Sequence, residues 1–435
     1  MGLDIARALA VLGMMAAHLL STPELMLLDP STWGALVHGR SAILFAVLAG
    51  ISISLMTGRT RVPEVAELPA IRLNLVVRGA VIFAIGLVLE LLGTPIAVIL
   101  TFYGALYVVA AAFVRWRVSR LLIAAGVLAV AGPPLLALLH ALTFHTNGAG
   151  AGLVLFGTYP LTVWLALLFA GMAIGRARLD RTRDRVRLLA IGVVLAAVGY
   201  GIGAAGTAVD AGDGSSSADA EWSLSGVSSA EAGASGGTGA SGGSASSSET
   251  DAGSGSLSGV SPDELDFDGT VCDDYGDGFI SCYPEEGSED DSMWETEPSG
   301  WESYLAQLGD QDPLGSALLA LISVEPHSGG TAEIIGSGGF AVAVIALCLL
   351  ASGPLRWVLL PFAALGSMPL TAYSVHVLSY ALIAGPGGFL DSFEVWLWSA
   401  VVLLVAATLW SVLRGRGPLE TVLARVASAV SPSKR

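Results

Sequence analysis

Three ionisable residues near the start of the chain stand where such side chains are expensive. The stretch Leu3-Asp-Ile-Ala-Arg-Ala-Leu-Ala-Val-Leu-Gly-Met-Met-Ala-Ala-His18 is otherwise apolar, and Asp4, Arg7 and His18 interrupt it. An ionisable group in a membrane-length apolar helix is retained when it has a partner or a task. At 100° per residue, the eleven steps from Arg7 to His18 turn through about 1100°, within about 20° of alignment. Asp4 and Arg7 are i,i+3 neighbours, so all three side chains project from one face. Eleven residues at about 1.5 Å separate Arg7 from His18 by about 16 Å along the axis. Histidine can take and return a proton near neutral pH, and arginine holds anionic groups. The spacing suits a reaction drawing a donor from one side and an acceptor from the other. The alternative is an interfacial Asp4–Arg7 ion pair with His18 hydrogen-bonded to a neighbouring helix.

The helix that positions them belongs to a hydrophobic body. Of 435 residues, 53% are hydrophobic and only 13% charged, with a mean hydropathy of +0.69. Soluble domains run near a quarter charged, so a water-soluble enzyme is excluded. The net charge of −16 averages two different objects. Twenty-six of the 37 carboxylates lie between Asp210 and Glu333, which contains no Lys or Arg; elsewhere 11 acidic face 21 basic residues. Nucleic-acid binding through an overall basic surface is excluded as well.

About 20 apolar residues cross a bilayer as a helix, the one open-ended form that satisfies its own backbone there. Such segments run approximately over 4–22, 39–57, 74–92, 95–113, 121–140, 154–175, 188–209, 336–353, 357–385 and 395–413. Basic residues flank them in a pattern that orients them by the positive-inside rule. Arg59, Arg61 and Arg72 follow the second span, Arg115, Arg117 and Arg120 the fourth, and a run from Arg176 to Arg187 the sixth. Arg356 precedes the long segment, and Arg414, Arg416, Arg425, Lys434 and Arg435 close the chain. Segment 357–385 must then cross once, as a long, tilted or broken helix. The expected fold is an all-α polytopic membrane protein of about ten transmembrane helices, both termini cytoplasmic, with membrane lipids as its surroundings. Its parts are spans one to seven (1–209), an acidic insert (210–312), a short interfacial segment with spans eight to ten (313–414) and a basic cytoplasmic tail (415–435).

The insert is low-complexity Ser, Gly, Ala, Asp and Glu, as in Gly233 to Ser248, and topology puts it on the extracytoplasmic side. Its first half is too poor in apolar residues to order itself. In its second half Cys272 and Cys282 are spaced for a disulfide hairpin on an oxidising face. The nearby carboxylates Asp266, Asp268, Asp273, Asp274 and Asp277 do not follow the calcium-loop spacing.

Other polar residues fall near the outer ends of the spans. Arg40 is the one cation facing out, placed to hold an anionic acceptor group or to pair with Glu90. Glu325 and His327 lie in the loop before the eighth span, and Tyr373 and His376 lie mid-to-outer in the ninth, where they could complete a polar pocket with His18. Helix-packing hydrogen bonds are the alternative for each. His38, His140 and His145 carry no signal of their own, and Pro133-Pro134 and Tyr159-Pro160 read as helix distortions. No set of His, Cys and carboxylates has zinc-site spacing, so no metal is expected.

Arg7, ten intervening residues and His18 resemble the Arg-x10-His signature of membrane acyltransferase-3 proteins. The wider texture resembles their sister group, the heparan-alpha-glucosaminide N-acetyltransferase-like and YeiB-like membrane proteins. The stretches that carry it are Leu3-Asp-Ile-Ala-Arg-Ala-Leu-Ala, Gly39 to Gly50, Thr158 to Trp164, Glu325 to Gly329 and Gly366 to His376. They cover most of the hydrophobic body and not the insert. The resemblance implies O- or N-acyl transfer from cytosolic acetyl-CoA, or another acyl-CoA, to a hydroxyl or amino group of an extracytoplasmic glycan or lipid in the cell envelope. It implies His18 as base or acyl carrier with Arg7 and Asp4 beside it, and Arg72 and Arg78 on the donor phosphates. A transporter or channel using Arg7, His18, Glu90 and His376 as a path is the competing reading, and the absence of an internal repeat counts against it.

Overall fold

The computed structural model describes residues 1–20, 34–143, 155, 160–177, 179–212, 270–274, 280–284 and 300–430. Helix α1 (Gly2–Leu19) is the element around which the site is built. It is followed by α2 (Arg40–Met56), α3 (Leu68–Glu90), α4 (Leu100–Phe113), α5 (Val118–Thr143), α6 (Leu161–Gly175) and α7 (Thr182–Gly212). After the insert come α8 (Trp301–Asp310), α9 (Pro313–Ile322), α10 (Thr331–Ala351), α11 (Leu360–Gly366), α12 (Pro369–Ala384), α13 (Phe393–Arg414) and α14 (Pro418–Val430). Seven described helices are long and apolar enough to cross a bilayer, and the shorter apolar helices α4, α6 and α12 stand where the sequence places the fourth, sixth and ninth spans.

Side-chain exposure follows lipid rather than water. Leu122, Ile123, Val127 and Val130 on α5, Ile191, Val194 and Val198 on α7, and Trp398, Val402, Val405 and Leu409 on α13 all point outward. In water each exposed Å² of such surface would cost about 25 cal/mol, a penalty that hydrocarbon removes.

Between helices that drive is missing, so contact relies on close approach of small residues. Helix α1 lies against α2, α10, α11, α12 and α13, with Ala6, Ala8, Ala10 and Met15 fully buried. Gly366 of α11 meets the backbone of Asp4 so closely that a Cβ there would overlap its carbonyl. Gly50 and Gly171 bring α2 and α6 into backbone contact in the same way, and Gly199 and Gly336 do so for α7 and α10.

The long ninth segment is broken, one of the forms its length allows. Helix α11 ends at Gly366 and α12 restarts at Pro369, whose ring supplies no N–H. The amide groups of Leu370 and Thr371, left open by the restart, donate to the Glu420 carboxylate at 2.8 and 3.1 Å. The Thr371 hydroxyl donates to it at 2.6 Å. Glu420 belongs to α14, an amphipathic helix in the basic tail that buries Leu423 and Ala427 and packs on α3. Pro133 and Pro134 lie inside α5, which continues through both.

Residues Ser229–Gln307 form a second compact unit. Within it β1 (Thr270–Asp274) and β2 (Ile280–Pro284) pair antiparallel, with Cys272 opposite Cys282. The expected disulfide rests on residues described by their backbone alone. The low-complexity half of the insert, the carboxylates Asp266, Asp268 and Asp277, His145 and Tyr159 lie outside the described residues.

Candidate active site

Polar side chains gather at the two ends of α1. At its start, the Arg7 guanidinium donates to Asp4 Oδ1 at 2.6 Å and to Ser52 Oγ of α2 at 2.8 Å. The Ser52 hydroxyl in turn donates to the Leu48 carbonyl at 2.7 Å. Arg7 is thus aimed by two partners from two helices and remains partly accessible. Tyr107 of α4 lies within Coulombic reach of both Arg7 and Arg78, while Arg78 Nε donates to Asn74 Oδ1 at 2.8 Å. Arg72 is exposed and turned to the Ala111 carbonyl at 3.1 Å, so Arg78 rather than Arg72 shares surroundings with Arg7. The same end of the bundle carries Arg185, which donates to the Leu349 carbonyl next to Gly2.

At the other end, His18 Nδ1 and His376 Nε2 are 3.1 Å apart, and the two rings lie parallel within 4°. One nitrogen of the pair must donate and the other accept. With Nδ1 so engaged, Nε2 is the nitrogen of His18 left for chemistry. His18 lines a cavity of about 130 Å³ together with Ala17, Leu20, Pro95, Ile96, Tyr380, Phe389 and Leu390. Backbone bonds knit the cavity wall: Ser392 N donates to the Leu19 carbonyl at 2.8 Å and Gly387 N to the Gly93 carbonyl at 2.9 Å. Gly387 has a φ of 69°, a conformation that glycine adopts without strain. Tyr373 is buried, and its hydroxyl accepts from Ile99 N at 3.4 Å, so it braces the loop that carries Pro95 and Ile96.

Next to this pair the structure assembles a group that the sequence leaves scattered. His18 lies within Coulombic reach of His327 and His38, so four of the chain's six histidines share one end of the bundle. His38 and His327 meet edge to face at 5.5 Å. Burial, and secondarily His38, pushes His327 down to about 4, which keeps it neutral at physiological pH. His327 has a φ of 69°, held by the buried Glu333 carboxylate, which accepts from His327 N at 2.9 Å, Gly329 N at 2.8 Å and Ser328 Oγ at 3.1 Å. Arg40 donates to Tyr200 Oη at 2.6 Å and to the Ala35 carbonyl at 2.7 Å, and Tyr200 Oη stands 3.0 Å from Ser337 Oγ.

The anticipated Arg40–Glu90 pair does not form. Glu90 ends α3 exposed and accepts from Thr101 Oγ1 at 3.0 Å, whereas Arg40 turns to α7. Glu325 is exposed in the loop, outside the buried cluster. His38, set aside in the sequence as silent, belongs to the cluster, and Glu333, Tyr200 and Ser52 join it or its counterpart at the Arg7 end. Glu333 opens an apolar span, the same signal that singles out Arg7. Among the described residues no group of His, Cys and carboxylates is arranged to hold a metal ion.

Residues 1–200 match the family described as heparan-alpha-glucosaminide N-acetyltransferase, catalytic. Over that stretch, less than half of its length, the chain is similar to that family. A search of curated proteins and one of solved structures returned no match. The matched stretch supplies Asp4, Arg7, His18, His38, Arg40, Arg78 and Tyr200, whereas His327, Glu333, Tyr373 and His376 come from beyond it. The partner of His18 is therefore contributed by the second half of the chain.

Proposed function

We propose that this membrane protein transfers an acetyl group from acetyl-CoA, bound at the Arg7 end, to an amino or hydroxyl group of a glycan or lipid acceptor at the His18 end. The observation that carries the reading is the His18–His376 pair at 3.1 Å, opening on a cavity at the far end of the helix that holds Arg7. The basic loops flanking the spans support placing the Arg7 end in the cytoplasm and the 210–312 insert outside.

The chemistry follows from the residues. Arg7, held by Asp4 and Ser52, presents charge-assisted donors to the anionic donor, and Arg78 adds a second cation near Tyr107. Nε2 of His18, its lone pair fixed outward when Nδ1 donates to His376, takes the proton of the acceptor or attacks the thioester carbonyl itself. The C–S bond breaks as the new C–N or C–O bond forms, and the sulfur leaves as the thiol with the proton carried by His18. His376 fixes the tautomer and orientation of His18.

The test uses the full chain in lipid nanodiscs with radiolabelled acetyl-CoA and glucosamine. Label on the protein or the amino sugar, lost in His18→Ala and reduced in Arg7→Ala, is the expected result. No binding of acetyl-CoA would overturn the proposal.

A further inference from the structure

Helix α14 turns one side to the protein and leaves another bare. Its Val422, Val426 and Val430 fall within about 80° of one another, and Leu423 and Ala427 extend the same apolar arc to about 140°. Leu423 and Ala427 are buried, whereas the three valines are 47%, 38% and 43% exposed. Two contacts fix how the helix lies. Glu420 holds the amides of Leu370 and Thr371 in α12, and seven residues on, the Ala427 carbonyl accepts from Asn74 Nδ2 of α3 at 3.4 Å. The helix thus crosses from the start of α12 to the first turns of α3, a distance of about 10 Å. Three residues separate it from the end of the span-length helix α13. Gly415 turns the chain there at a φ of 79°, and Trp410 Nε1 fastens the turn by donating to the Arg416 carbonyl at 3.0 Å. That places α14 where α13 leaves the hydrocarbon, at the depth of lipid head groups. It is also the Arg7 end of the bundle, since Gly366 of α11, just before α12, meets Asp4.

Charge on this tail is one-sided. Arg414, Arg416 and Arg425 are exposed, and among the described residues none of them forms an ion pair. Lys434 and Arg435 follow in the sequence, and Glu420, the one carboxylate between Arg414 and Arg435, is already spent on α12. Arg425 lies about 60° round the helix from Val422, at the rim of the valine stripe. We propose that this face of α14 is a docking surface for anionic phospholipid: the valines enter the acyl boundary and the arginines take the head-group phosphates. A second copy of the chain would also cover the valines, but only by setting arginine against arginine. Because Glu420 and the valines share one short helix, lipid that holds α14 also holds the start of α12. The proposal stands apart from the transfer reading above.

Amide hydrogen exchange of the full chain tests this in nanodiscs of phosphatidylcholine alone or mixed with phosphatidylglycerol, with a single copy of the chain in each disc. Protection of α14 should rise in the anionic discs by about fivefold for each arginine engaged, and high salt should reverse the gain. The amides of Leu370 and Thr371 should slow with it, through Glu420. Arg416→Gln combined with Arg425→Gln should remove most of the difference between the lipids. Its melting in pure phosphatidylcholine should match that of the natural protein, which shows that the variant is folded. Val426→Asp should lower protection in both lipids. Equal protection of α14 in the two lipids would overturn the proposal, and so would protection gained only in discs that hold a second copy.

Discussion

Replacing His376 by phenylalanine keeps a ring of similar size in a site that is 1% exposed, and withdraws one hydrogen-bonding nitrogen 3.1 Å from His18. The volume change is small, so packing should cost less than about 1.5 kcal/mol. The larger effect falls on His18. Its Nδ1 would lose its partner in a partly buried place, a penalty of roughly 1–3 kcal/mol, and the ring would be free to turn or to change tautomer. If that bond is held through the transition state, kcat should fall about 5- to 150-fold, because 1.36 kcal/mol is a factor of ten. KM for acetyl-CoA should hardly change, since the donor site proposed at Arg7 lies about 16 Å away. The assay is thiol release from acetyl-CoA under saturating acceptor, with thermal unfolding measured in parallel. His376→Gln, which can still present a donor or an acceptor near the same point, should recover part of the loss. A His376→Phe protein with kcat within twofold of the natural one would refute the role given to the pair.

Other changes should separate the two ends of α1. Arg7→Lys leaves one point charge to face both Asp4 and Ser52 and should raise KM for acetyl-CoA about tenfold, a loss of about 1.4 kcal/mol, with kcat little altered. Gly366→Ala drives a Cβ into the Asp4 carbonyl and to 2.9 Å from Ala8 N, so α1 and α11 must part. Overpacking of this kind should lower stability by about 1–3 kcal/mol, seen as a drop in melting temperature. Stability should also fall with acid. His327 is held down to about 4 in the folded protein against about 6.5 unfolded, so its contribution is complete above about pH 6.5 and is lost as the pH drops towards 4. The slope is at most about 1.4 kcal/mol per pH unit in that window, and His327→Gln should flatten it in pH-resolved melts, where an unchanged slope would point to other groups.

What the sequence makes legible here is what is local. The spans are readable because about 20 apolar residues in a row have few alternatives, and the alignment of Asp4, Arg7 and His18 follows from helix geometry alone. The bond between His18 and His376 is not local, since 358 positions separate the two residues. His38 looks silent in a loop, and only folding brings it to His327 and His18. Glu333 is hidden for a different reason: it is the last of the 26 carboxylates that make the insert look uniformly acidic, yet it is buried under the loop it organises. Arg40 and Glu90 are close enough in topology to suggest a pair, but Tyr200 offers Arg40 a partner that no hydropathy pattern announces. Helix α14 escapes notice because 13 amphipathic residues fall below span length and their one arginine, Arg425, reads first as a topology signal.

The docking of Glu420 bears on how the protein can be handled. The carboxylate closes the open amides at the start of α12 only five residues before His376. Trimming the basic tail as dispensable would uncap that helix and loosen His376, the residue proposed to aim His18, about 7.5 Å further along it. Loss of turnover in such a truncation would report the geometry of the histidine pair, not a task performed by the tail, and Glu420→Gln in the full chain separates the two.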